Sequence, residues 1–401
     1  MTVRQGRAFL AIPGPTNIPD DVLTAMHRPA IDIYSGEALE ITDRLQSGLK
    51  RVFRTDGQMY VYASNGHGGW EAAIANCLSA GDKVLVLESG RFAVGWGQMA
   101  ETLGAVAEVL PGSLTRAVDP AAVEARLRAD TAGEIKAVLV VQIDTAIGVV
   151  NDIPAIRQAM DAAGHDALLM VDTIASLGCM PFEMDAWGVD VAVAGSQKGL
   201  MSPPGLAFVG ASDKAMAVHK AQGTDGLKSV YWNWTRRDGP LHYEKYCGTP
   251  PEHLLFALDR ALALLLEEGL ENAFERHRLL AGAVHRAVEL WSEGGAFAFN
   301  IGRPEERAAS VTTIRMAEGQ SPTALADFCR ERCGLTLGIG IGELRGKAFR
   351  IAHMGHINAP MILGTLATVE TALAALGMSY GKGGIQAAVD WLGGALGDAP
   401  V

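Results

Sequence analysis

A carboxylate and an amine, Asp172 and Lys198, each follow a short apolar run: ALLMV precedes the aspartate, and VDVAVA leads through Gly195-Ser196-Gln197 to the lysine. Runs this short and this rich in β-branched residues read as buried strands of an α/β sheet. Ligands of such sheets gather at the carboxyl ends of the strands, so the acid and the amine converge on one cleft. That pairing suits pyridoxal 5'-phosphate, where a lysine forms the Schiff base and a carboxylate keeps the ring nitrogen protonated. A structural salt bridge is the plainer alternative.

A phosphate needs its own anchor, and one candidate stands upstream. A strand from Met59 to Ala63 runs into Ser64-Asn65-Gly66-His67-Gly68-Gly69 and then an apolar helical stretch from Trp70 to Leu78. Strand, glycine-rich turn and helix start form an anion site, because unpaired amides and the helix dipole face one point. A dinucleotide fingerprint fails here, since the third glycine of GxGxxG falls on Glu71. His67 is open to a packing, capping or catalytic role. Phe92, at the corner Gly90-Arg91-Phe92, either covers a flat ring or joins the core. The strand Ala137 to Val141 ends in another polar cluster, Gln142-Ile143-Asp144-Thr145-Ala146. Arg350 lies within the apolar strand of RIAHMG, where an unpaired guanidinium is costly, so it meets either an acid or an anionic ligand. Near the start, PGPTNIP is held out of regular structure by its prolines, and Gly14 either lets the backbone approach a ligand or serves a linker.

The elements that must carry these groups follow from apolar runs and breakers. Strands at Lys83 to Leu87, Ala105 to Leu110 and Gly205 to Val209 join those named, with helices between them, including one opened by Asp119-Pro120 and one from Ile153 to Ala163. Such alternation predicts a parallel, helix-covered sheet. Lys220 to Pro251 is too irregular for either element. Helices from Glu252 to Glu268 and Glu271 to Trp291, then strands at Ser310 to Met316, Leu335 to Ile339 and Ala348 to His353 separated by helices at Pro322 to Cys333 and Pro360 to Ala375, predict a smaller α+β unit. The expected division is 1–20 as an extended lead, 21–251 as the large domain and 252–401 as the small one.

Composition bounds the partners. The 401 residues are 49% hydrophobic and 20% charged, which is a folded chain long enough for a large core. A net charge of -11 with no basic cluster argues against a nucleic-acid surface. The five cysteines lack metal-ligand spacing, so no metal site is expected, and free thiols fit a reducing compartment. The N-terminus lacks the apolar core of a signal peptide and no run approaches the ~18–20 apolar residues of a membrane span. The expectation is a cytoplasmic protein without a membrane partner.

Taken together, PGPTNIP, GHGGWEAAI, VDTIASLG, GSQKG, YCGTPP, EEGLENAFERH and GKAFRIAHMG resemble, in this order, the class V aminotransferases, most of all the serine-, alanine- and aspartate-glyoxylate type. The resemblance runs from about Ile12 to about Gly377. It implies the fold-type I PLP transferase architecture: a large domain with a mostly parallel seven-stranded sheet and a smaller C-terminal α+β domain. It implies that Lys198 is the Schiff-base lysine and proton shuttle, and that Asp172 pairs with the pyridinium nitrogen. Asn65, Gly66 and His67 fall on the phosphate-side turn, Gln197 near the phosphate, Phe92 at the ring-stacking position and Thr145 opposite the phenolic oxygen. Tyr246 and Thr249 match residues that reach the phosphate from the neighbouring subunit, which implies a homodimer with shared active sites. Arg350 matches the clamp on the substrate carboxylate, with Gly14, Thr16 and Tyr34 on the substrate side. The activity implied is ping-pong transfer of an amino group from serine, alanine or aspartate to a 2-oxo acid such as glyoxylate or pyruvate. Ile33-Tyr34-Ser35 and Asp144-Thr145-Ala146-Ile147-Gly148 depart from the HRS-like and ETATG-like segments common in this type. A second anionic group on a substrate would call for Arg236, Arg237 or Lys245. The alternatives are a PLP-dependent lyase, for β-elimination or for a desulfuration with Cys329 or Cys333 as nucleophile, a non-catalytic binding protein on the same fold, and a nucleotide-dependent Rossmann enzyme.

Overall fold

The apolar runs of the first half assemble into one sheet. In the computed structural model, which describes residues 2–223, 226–227 and 229–397, the strand order is Gln58–Ala63, Leu206–Ala211, Val191–Gly195, Leu168–Asp172, Ile135–Val141, Lys83–Leu87, Val106–Leu110. Leu206–Ala211 is antiparallel to both neighbours, and the remaining pairs are parallel. Helices on both faces explain why Leu168–Asp172 and Val191–Gly195 are buried at every position: a strand covered on two sides has no polar face to alternate with. This is the mixed α/β architecture with a mostly parallel seven-stranded sheet that the sequence predicts.

A second sheet has the order Phe9–Ala11, Leu335–Ile339, Ala348–Ala352, Val311–Met316, Phe297–Phe299. Its first pair is parallel and the others antiparallel. The expected lead of residues 1–20 therefore includes a strand of the C-terminal sheet, and Ala11 sits in that sheet's core beside Leu335 and Leu337. Helix Glu252–Glu268 packs the other way. Leu255, Leu258, Leu262 and Leu265 share a core with Ile41, Leu45 and Leu49 of helix Glu37–Phe53 against the large sheet, while the second core begins at Leu280. We propose that the two units divide within helix Leu270–Ser292 rather than at Glu252. Residues 398–401 of the expected small domain lie outside the described residues.

Two local differences bear on function. The helix expected from Trp70 begins at Gly66, because Asn65 takes an extended conformation and its side-chain oxygen accepts from His67 N at 3.1 Å, which caps the helix four residues earlier. The irregular segment before Pro251 holds a short helix, Trp234–Arg237, and a 3₁₀ turn, His242–Tyr246. What orders it is Arg237, which is 1% exposed. Its guanidinium donates to the carbonyls of Tyr231, Val61 and Lys245 at 2.8–3.1 Å and lies 4.1 Å from the Tyr62 ring centroid. No helix among the described residues is long and apolar enough to cross a membrane.

Candidate active site

Asp172 ends the strand Leu168–Asp172 and Lys198 follows Val191–Gly195, the next strand of the sheet, in parallel register. Both side chains line one cavity of about 250 Å³, together with Asn65, Gly66, His67, Phe92, Thr145 and Gln197. A salt bridge without a pocket, the plainer reading of the pair, would leave no such space between them.

Burial sets the charge state of both groups. Lys198 is lowered to about 8, chiefly because burial penalises the ammonium and secondarily because Arg350 is near, with Asp172 opposing. Its amine donates to the Pro13 carbonyl, and its own carbonyl accepts from Thr16 Oγ1 at 3.1 Å. Asp172 is pushed up to about 7 by burial. Two donors hold the charged form against that penalty: Ile174 N reaches Oδ1 at 2.6 Å and Trp70 Nε1 reaches Oδ2 at 2.9 Å. An amine and a carboxyl with such environments change protonation near neutral pH, which general acid–base work requires.

The other end of the cavity is the N-terminus of helix Gly66–Cys77. First-turn amides of a helix have no partner within it, and they present partial positive charge. The helix start is packed closely here: a Cβ on Gly66 would lie 2.3 Å from Ile174 Cδ1, so a larger residue would have to displace that side chain. Gln197 Oε1 is buried with no partner among the described residues. Because the two ends of an amide are exchanged by a flip, the same side chain offers an N–H to an anionic oxygen. Cavity volume, lysine, acid and anion end fit pyridoxal 5'-phosphate.

Phe92 is the second residue of helix Arg91–Thr102, whose N-cap is Gly90 and supplies no capping side chain. Asp144 serves instead. Its Oδ2 accepts from Phe92 N at 2.9 Å and its Oδ1 from Ala146 N at 2.9 Å, and a Cβ on Gly90 would come within 2.6 Å of the carboxyl carbon. Asp144 thus fixes Phe92 on one side and Thr145 on the other. Burial pushes its carboxyl up to about 6, against those backbone donors. Asp144→Ala would leave the buried amide of Ala146 unpaired and strip the half-buried amide of Phe92 of its partner. We expect it to lower unfolding free energy by ~1–3 kcal/mol in urea titration.

Phe92, Thr145 and Lys198 also line a second cavity of about 470 Å³ that includes Gly14 and Arg350. Arg350 donates through Nε to Ile339 O and through Nη1 to Thr145 O, both at 2.8 Å. Among the described residues no acid forms an ion pair with it, and its remaining N–H groups have no partner. Asp144 is near enough to favour the charged guanidinium, and the free N–H groups leave room for an anionic ligand.

Four expected site residues do not line either cavity. Thr16 is buried and clamps the backbone of the lysine segment, donating to Lys198 O. Tyr34 is 68% exposed, edge-on to Tyr243 with ring centroids 5.7 Å apart. Tyr246 is turned into its own chain's core and its hydroxyl is 2.6 Å from Thr42 Oγ1, a commitment that argues against a reach toward a phosphate. Thr249 is exposed. Arg237 is corrected as a candidate for a second anionic group, since its donors are used on backbone carbonyls. Sequence reasoning missed Trp70 and Asp144 as positioning residues. Trp70 lies in the GHGGWEAAI run, but its bond to Asp172 spans 102 positions, and only the tertiary fold reveals it.

A family model described as Aminotransferase class-V matches residues 9–342. The chain is 41% identical over 397 residues to the serine–glyoxylate aminotransferase of Methylorubrum extorquens, covering 98% of this chain and 97% of that one. It is 40% identical over 381 residues to the L-aspartate–glyoxylate aminotransferase of Paracoccus denitrificans, 94% of each. Its structure matches the crystal structure of ureidoglycine–glyoxylate aminotransferase from Bacillus subtilis with a TM-score of 0.87 at 26% identity, covering 97% of this chain and 99% of that one.

Proposed function

The chain belongs to the class V aminotransferases, and from that membership we propose that it uses pyridoxal 5'-phosphate to move an amino group from a small L-amino acid to glyoxylate. The observation that carries the proposal is the convergence of Lys198 and Asp172 on one cavity that ends at a helix N-terminus. The three relatives named above share glyoxylate in their names and differ in the donor. Glyoxylate is therefore the better supported half of the substrate pair. Serine, aspartate and alanine are the donors to try.

When bound, the cofactor supplies a carbonyl carbon that takes the amino group and a ring that withdraws electron density from the substrate's α-carbon. The chain does the rest. Asn65, Gly66, His67 and Gln197 hold the phosphate end against the helix start. Phe92 gives the ring an apolar face. Asp172, turned by Trp70 and Ile174, holds a proton at the ring nitrogen. Arg350 forks the substrate carboxylate, and Thr145, whose carbonyl that arginine holds, lines the same cavity as the lysine. Lys198 Nζ takes the α-proton and returns it, which its lowered proton affinity permits near pH 8.

Homodimerisation fits the exposed side chains of Tyr34, Val230 and Leu241, and Thr249 is the expected inter-subunit residue that stays exposed. Free cysteines at all five positions fit the cytoplasm. Of the two thiols the desulfuration alternative could use, Cys329 is buried in the small core and pushed up to about 12 by burial, which leaves only the half-buried Cys333 at the end of the same turn.

The test is an initial-rate study with serine, aspartate or alanine against glyoxylate, following glycine. Parallel double-reciprocal lines are expected, because the amino group waits on the enzyme between two half-reactions. Ammonia or sulfide released in step with donor loss, with no glycine formed, would overturn the assignment.

A further inference from the structure

We infer that Trp70 is a positioning residue that keeps the Asp172 carboxylate charged and aimed, so that the proton shared with the cofactor's ring nitrogen sits on nitrogen. The inference rests on the proposed use of pyridoxal 5'-phosphate and goes beyond it, because it concerns what makes the acid effective.

The geometry is specific. Trp70 is 2% exposed, and its indole N–H ends on Asp172 Oδ2 at 2.9 Å. The ring is held from several sides: Trp96 stacks on it at 5.8 Å and 15°, the His67 ring lies 4.7 Å away, and Phe92 meets it edge-on at 6.3 Å. An indole so packed cannot swing away from the carboxylate. Trp offers a donor and no acceptor, so the bond favours the ionised carboxylate alone.

The need for such a donor follows from the surroundings. Asp172 is buried, a condition that favours a neutral carboxyl. Asp144, on the neighbouring strand segment, repels its charge, and Lys198 attracts it only while the lysine keeps its proton. Ile174 N satisfies one oxygen. Without Trp70 the other oxygen would face the cavity with no fixed donor, and a proton would stay on oxygen, leaving the ring nitrogen as a mere acceptor. His67, the remaining titratable group against the indole, touches the ring and not the acid. Trp70 also ties the ring-facing Phe92 and the phosphate-side His67 to the same acid.

The experiment compares Trp70→Phe with Trp96→Phe. The first keeps an aromatic ring in the stack and removes the donor. The second removes an indole N–H that has no partner among the described residues and controls for packing. The ¹⁵N signal of bound ring-labelled pyridoxal 5'-phosphate reads where the proton sits. In Trp70→Phe it is expected to move from the pyridinium toward the free-pyridine position, a shift of the equilibrium of roughly tenfold, the weight of one charge-assisted hydrogen bond. Trp96→Phe should leave it in place. The cofactor-free protein gives a second reading. An infrared carboxyl band that Asp172→Asn abolishes should persist to higher pH in Trp70→Phe than in the parent.

An unmoved ¹⁵N signal in Trp70→Phe, or an equal movement in Trp96→Phe, would overturn the inference. Failure of the parent protein to bind the cofactor would instead strike the proposed function. The infrared comparison would then still decide whether Trp70 governs Asp172.

Discussion

Replacing Lys198 with alanine is expected to slow amino-group transfer by at least ~10²–10⁴-fold, the usual weight of a positioned acid–base group. The nucleophile is lost with the base, so the upper end of that range is the natural expectation. Rapid-mixing measurement of 2-oxo acid formed in a single turnover from the donor checks it. Cofactor affinity should fall far less than the rate, since the anion end is built from the helix start at Gly66 and from Gln197. A variant that retained turnover within tenfold would remove the lysine from its role.

The same lysine carries a stability cost with a definite pH signature. Its proton affinity in the folded chain falls from 10.5 to about 8. Between those values the unfolded chain binds more protons, so stability rises with pH across that window. Below about pH 8 both states are protonated and the penalty for a buried ammonium is present in full. Lys198→Met should therefore raise the melting temperature of the cofactor-free protein below pH 8, with the gain fading as pH climbs toward 10.5. A gain independent of pH would point to packing instead.

Much of this is legible in the sequence because the signals are local. Lys83–Leu87, Leu335–Ile339 and Glu252–Glu268 begin and end where the sequence predicts, since apolar run length and breakers decide a buried strand or an amphipathic helix within one segment. Asp172 and Lys198 were legible for a related reason. Polar residues closing adjacent buried strands emerge at the same edge of a parallel sheet.

What was not legible depends on distant partners. Phe9–Ala11 is too short to show alternation, and it becomes a strand because Leu335–Leu337 lies beside it. The boundary at Glu252 looked sound from composition, yet helix Glu252–Glu268 packs on the large sheet's core. No local pattern shows which of two cores a helix will join. Arg237 read as a charge available to a ligand, and its burial among carbonyls depends on a loop closing around it. Asp144 read as a departure from a family segment. Its work as a helix cap, through a bond to Phe92 N 52 residues earlier, is visible only in three dimensions. Tertiary demand, not propensity, decided each of these positions.

Arg350 supplies the second large effect, and the geometry predicts its form as well as its size. Ile339 O and Thr145 O hold the guanidinium in place, each at 2.8 Å. The fork is therefore set before substrate arrives, and burial lowers its proton affinity only to about 10, which leaves it charged at neutral pH. In the proposed role, a clamp fixed in advance would grip the carboxylate equally in the ground and transition states, so its loss should raise KM more than it lowers kcat. Arg350→Met is expected to cost ~2–5 kcal/mol in kcat/KM, about 30- to 5,000-fold, as when one partner of a buried charged pair is removed. Arg350→Lys should recover only part of this, because an ammonium keeps the charge and cannot fork. The decisive comparison is an amine donor without a carboxylate, turned over slowly by the parent enzyme. Its kcat/KM should be nearly unchanged in Arg350→Met, since the fork has nothing to hold. An equal loss for both donors would show that the arginine supports the small sheet between Leu335–Ile339 and Val311–Met316 rather than the substrate.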